Sequence, residues 1–115
     1  MGRPDAVRPA LATALNSFGN RLGALGRRAE AMAAAREAVE LSRQLASAQP
    51  DTYRPGLAVS LNNLGNRLCD LGRGEEALVA AEEALEINRV LATAQPAAYR
   101  LALALSLNNL GIRSK

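Results

Sequence analysis

The chain has 115 residues, with 14 Lys and Arg against 11 Asp and Glu, and a net charge of +3. It contains one cysteine, Cys69, and no histidine, which excludes an intrachain disulfide and removes the usual metal ligand and general base. Phe18, Tyr53 and Tyr99 are its only aromatic residues, so its core must be aliphatic, and no apolar run is long enough to cross a bilayer.

The opening residues carry no apolar signal region, and Ala6 stands where a myristoylation signal needs Ser or Thr. The expectation is a cytoplasmic protein with no membrane partner. Arg3-Pro4-Asp5-Ala6-Val7 aligns with Gln49-Pro50-Asp51-Thr52-Tyr53 further on, so residues 1–7 read as the tail of a preceding repeat or a linker. Arg8, Arg54 and Arg100 then open units that repeat every 46 residues without a gap. Residues 8–53 form the first unit and 54–99 the second, and about 27 of the 46 aligned positions are identical. Residues 100–115 read as the first helix of a third, truncated unit.

Each unit reads as two helices. The first carries a stripe at helical spacing: Leu11, Leu15, Phe18, Leu22 and Leu25 in one unit, and Leu57, Leu61, Leu64, Leu68 and Leu71 in the next. Pro9 and Pro55 suit its first turn, where a missing N–H costs nothing. Gly26 and Gly72 supply the stop. The second helix begins near Glu30 or Glu75 and has a stripe of small residues, Ala31, Ala35 and Ala38, then Ala77, Ala81 and Ala84. It runs to about Ala48 and Ala94, where Gln49-Pro50 and Gln95-Pro96 end it. One such hairpin cannot bury both its faces, so neighbours stack into a helical solenoid. The last helix, from Leu101 to about Arg113, keeps its apolar positions but has no second helix after it.

Chemistry is hard to find along this chain. Gly19 to Gly26 superficially suggests a phosphate loop but lacks the Gly-Lys-Ser/Thr ending, and no strand precedes it. Cys69 has neither a histidine nor a second cysteine and reads as a partly buried spectator. The expectation is no enzyme, no catalytic residue, no metal and no cofactor. With no basic run and no aromatic stacking platform, nucleic acid is not an expected partner either.

The order Leu61, Leu64-Gly65, Leu68, Gly72, Glu76-Ala77-Leu78, Ala81, Ala84 resembles the tetratricopeptide repeat. Leu15, Phe18-Gly19, Leu22, Gly26, Ala31, Ala35 and Ala38 match it again, as do Leu107 and Leu110-Gly111. The family's usual unit is shorter, and its usual proline near the end of the second helix is replaced by Arg43 and Arg89, which fits a longer helix. The long unit, with Leu-Asn-Asn in its first helix, is similar to the kinesin light chain type, and the Arg- and Ala-rich wording fits a bacterial source. The resemblance implies an all-α, right-handed α-solenoid of antiparallel helix hairpins. Its implied role is a non-catalytic protein–protein interaction scaffold, with an extended peptide lying on the concave face made by the first helices.

Asn16, Asn62 and Asn108 are equivalent by position, as are Asn20 and Asn66 one turn later, with Asn63 and Asn109 beside them. A primary amide offers donors and an acceptor together, so a ladder of amides suits peptide backbone better than a row of lysines. In the other reading these asparagines bond to neighbouring helices and fix the angle between repeats. Arg21, Arg67 and Arg113 recur as well and read either as anion binders or, preferably, as partners of Asp70 and neighbouring acids. With helices packed about 8–10 Å apart and about 3.3 Å per extended residue, the groove holds roughly seven peptide residues. The alternative to peptide binding is a structural, self-assembling solenoid, or a fragment of a longer array. Independently of that choice, a homo-oligomer is expected through Leu101, Leu103, Leu105, Leu107 and Leu110 of the open last helix.

Overall fold

The computed structural model describes residues 4–114, with side chains placed from 7 to 108. Five helices follow one another: α1 (Pro4–Ala24), α2 (Arg28–Ala48), α3 (Pro50–Asp70), α4 (Gly74–Ala94) and α5 (Pro96–Ser114). The described residues contain no strand. The chain is an all-α solenoid of helix hairpins, 43 × 34 × 19 Å in extent. Its thin dimension is that of two helices, each about 10 Å across. No helix among the described residues is long and apolar enough to cross a membrane.

The hairpin turns follow from glycine. Gly26 and Gly72 take φ of +80° and +76°, a region that a Cβ penalises. The amide of Arg27 then donates to the Leu22 carbonyl at 2.9 Å, and that of Gly26 to Gly23 at 3.0 Å. Arg73 and Gly72 repeat both bonds on Leu68 and Cys69. These paired bonds satisfy carbonyls that the end of a helix would otherwise leave open. The next helix starts at once, and the Arg27 side chain grips Glu30 with two hydrogen bonds at 2.6 and 2.8 Å. Arg73 meets Glu76 in the same way at 2.6 Å.

The first helices start earlier than Pro9 and Pro55, namely at Pro4 and Pro50. The amides of Thr52 and Tyr53 close on the Gln49 carbonyl at 3.2 and 3.1 Å and make the added turn. Tyr53 is half-buried and packs on the core, which rewards winding this turn. Pro55 therefore lies one turn inside α3. The carbonyl it fails to pair belongs to exposed Asp51, at the surface rather than in the core.

The core lies where α2, α3 and α4 meet. Ala35, Val39 and Ala46 of α2, Leu57, Leu61, Leu64 and Leu68 of α3, and Ala77, Ala80 and Ala84 of α4 form one buried cluster. Alanine on the second helices lets the backbones approach, and leucine on the first fills the space between. Gly19 does the same on α1, since a Cβ there would meet the Ala31 carbonyl at 3.3 Å. The α1 copy of the leucine stripe is less buried than its α3 counterpart. Leu22 is buried, but Leu11 and Phe18 are 42% and 56% exposed, whereas their counterparts Leu57 and Leu64 are each 7% exposed. The difference is α2, which covers α3; no described element takes that place beside α1.

Besides packing on its chain neighbour, α1 touches α3 and α3 touches α5, while the backbones of α2 and α4 do not meet. The stack is therefore pinched on the side of the first helices and spread on the other.

Candidate functional site

The pinched face carries two seams built from equivalent residues. Between α1 and α3 lies a cavity of about 190 Å³ lined by Pro9, Thr13, Asn16, Ser42, Tyr53 and Ser60 among others. Between α3 and α5 lies a second, of about 290 Å³, lined by Pro55, Val59, Asn62, Asn88, Tyr99 and Leu105 among others. Most of these residues are 46 positions apart, seam to seam.

Each seam has a buried polar floor. In the first, Asn16 Nδ2 donates to Ser60 Oγ at 3.0 Å, and the Ser60 and Ser42 hydroxyls share a hydrogen bond at 3.0 Å. In the second, Asn88 Nδ2 donates to Ser106 Oγ at 2.6 Å and reaches the Ala102 carbonyl at 3.4 Å. Ser42, Ser60, Asn88 and Ser106 are the buried polar residues of the described chain. Buried hydroxyls and amides are held in place by such bonds, because leaving them unpaired is unfavourable. Both Asn16 Oδ1 and Asn62 Oδ1 break that rule: each is buried, and neither has a partner.

The structure thus divides the asparagines by depth. Asn16 and Asn62 are half-buried in the seams, where the following first helix packs over them. Asn108 is exposed, with no described helix covering it. Asn63 and Asn66 are half-buried, and Asn20 is exposed. The side chain of Asn109 lies outside the described residues, as do those of Leu110 and Arg113. Asn20 Oδ1 accepts from Arg67 Nη1 at 3.4 Å, a long contact that joins α1 to α3. Arg67 Nε also lies 3.4 Å from Asp70 Oδ2, close enough for an ion pair but without the alignment of a hydrogen bond. The guanidinium passes over Gly23, where an added Cβ would stand 2.6 Å from Nη1. Arg67 therefore braces one repeat against the next, which is the structural reading of this row.

The spread face offers a different surface. Leu61, Leu64, Leu68 and Val79 line a cavity of about 240 Å³ between α2 and α4. Two ion pairs straddle it, Arg36 with Glu76 at 3.8 Å and Arg43 with Glu83. Arg43 Nη2 meets Glu83 Oε1 at 2.8 Å, and the second guanidinium nitrogen meets the other oxygen. The hydrogen bond from Arg43, helped by its charge and opposed by partial burial, holds the Glu83 carboxyl below its usual range. This surface went unnoticed in the sequence. Its signal was there: two arginines seven apart on one second helix, and two glutamates seven apart on the next.

Outside the seams, Leu101, Leu105 and Leu107 on α5 are 71%, 53% and 46% exposed, and Leu103 is half-buried. Cys69, expected to be partly buried, is exposed at the end of α3. Its position in the last turn, beside the glycine stop, takes it off the packed stripe.

A family model, tetratricopeptide repeat, matches residues 11–51 and again residues 57–93, together well over half of the chain. No curated protein matches it.

Proposed function

Because this chain belongs to the tetratricopeptide repeat family, whose repeats mediate protein–protein interaction, we propose that it is a non-catalytic scaffold that binds an extended peptide segment along α1, α3 and α5. One observation carries this reading. At two equivalent places on the same face, an asparagine amide sits beside a cavity with its oxygen unpaired. Family membership supports a protein partner, and the amides supply both donors and acceptors for peptide backbone. Asn20, Asn66 and Asn108 extend the row past the seams, with Asn63 and Asn109 next to it. The reading includes units at 8–53 and 54–99 with a further first helix from 100. It also takes the chain as a cytoplasmic, bacterial member of the long, kinesin light chain-like type.

A peptide array probed with the purified chain tests the proposal. Bound peptides are expected to lose about tenfold in affinity when Asn62 and Asn66 are both replaced by alanine, as two net hydrogen bonds of roughly 0.5–1.5 kcal/mol would give. Unchanged binding in that variant removes the amide row as the site.

The exposed leucines of α5 favour a second reading, self-association through that helix. Sedimentation at rising concentration checks it, and a strict monomer at high concentration refutes it.

A further inference from the structure

The two seams differ at one position that changes what they can bind. In the first, Ser42 and Asn16 both use the Ser60 hydroxyl. In the second, Asn88 stands where α2 has Ser42, and Ser106 stands for Ser60. The longer Asn88 side chain reaches Ser106 Oγ at 2.6 Å and takes it. Asn62, the counterpart of Asn16, is left with no hydrogen bond among the described residues, and its Oδ1 is buried. The exchange of serine for asparagine on one helix thus frees an amide on another. It does so beside the larger of the two cavities, about 290 Å³ against about 190 Å³.

That space selects its occupant. It is roughly twice the 150 Å³ cavity that accepts a benzene ring, so one medium-sized side chain fits. No charged residue lines it, and its walls include Pro55, Val59, Tyr99 and Leu105. A charged side chain entering it would lose water and gain no counter-ion. An aliphatic one would pack well but leave the Asn62 amide unpaired. A primary carboxamide presents a donor and an acceptor on the same edge and pairs with another amide through two hydrogen bonds. The last torsion of asparagine is broad, so Oδ1 can turn toward such a partner. A single trans peptide group has its N–H and C=O on opposite edges and cannot close this ring by itself, and a space of this size admits a side chain rather than a run of backbone. A glutamine, with one more methylene than asparagine, also lays its stem along the apolar walls.

We propose that the α3–α5 cavity is a side-chain subsite that takes the carboxamide of a glutamine from the bound peptide, paired with Asn62. The proposal rests on the reading of this face as a peptide groove, and its test separates the two. Pools of short peptides are passed over the immobilised chain, with random flanks and the central residue fixed as Gln, Leu, Glu or Lys. The Gln pool is expected to be retained about tenfold over the others. The preference should vanish in Asn62→Leu, which removes an unpaired buried oxygen and should therefore raise the melting temperature, so the loss is not one of folding. It should also vanish in Asn88→Ser, which restores the arrangement of the first seam and returns Ser106 to Asn62. Equal retention of all pools, or a preference that survives both variants, overturns the glutamine subsite and leaves the peptide groove standing. Retention of no pool overturns both.

Discussion

Leu61→Ala is expected to destabilise the chain by about 2–5 kcal/mol, enough to unfold much of a small domain whose total stability is about 5–15 kcal/mol. Leu61 is 1% exposed and sits in the middle of the cluster that joins α2, α3 and α4. Its replacement leaves a void inside the cluster shared by α2, α3 and α4, which the helix backbones cannot close without moving together. The chain supplies its own control. Leu107 is the same residue in the same local sequence one repeat later, but it is 46% exposed. Leu107→Ala should cost clearly less, about 1 kcal/mol, because only about half of that side chain leaves water. Urea melts followed by the circular dichroism of the helices measure both. Equal losses would contradict the packing described for α3.

Ala84→Leu should be nearly as damaging, for the opposite reason. Ala84 is fully buried in the same cluster, and its small side chain sets how closely α4 lies on α3. A leucine there must push the helices apart or leave its rotamer, at a cost of about 1–3 kcal/mol. Ala33→Leu, on the exposed side of α2, makes the same chemical change at an open site. Since alanine and leucine differ little in helix propensity, it should be almost neutral. A leucine tolerated equally at both positions would mean that the small stripe is not a packing device.

The helix ends were written plainly in the residues. Gly26 and Gly72 take the backbone conformation that only glycine adopts cheaply, and Gln49-Pro50 and Gln95-Pro96 disfavour continuation, so these stops have a strong local signature. The starts of the first helices were ambiguous, because Pro4 and Pro9, like Pro50 and Pro55, are equally fit to open a helix. For α3 the tie was broken by Tyr53 packing on the core, a tertiary effect with no local signature. Val7, its counterpart on α1, is 62% exposed, and nothing in the structure explains the equally early start of that helix. The depth of the asparagines was hidden for a related reason. Helical spacing places Asn16 and Asn62 opposite the leucine stripe, but the following first helix half-covers them, and that depends on how steeply the layers lean. No local pattern marks the serines and the single asparagine beneath them, Ser42, Ser60, Asn88 and Ser106, as buried. Only the fold reveals that they meet inside the seams.

Every described helix packs on its chain neighbour, and the longest reach in the stack runs from one first helix to the next. Assembly therefore requires only short loop closures, each made when the next few turns of chain become available. Such a molecule can extend outward from its α2–α4 centre, and during synthesis each new hairpin can settle on the last before the remainder has left the ribosome.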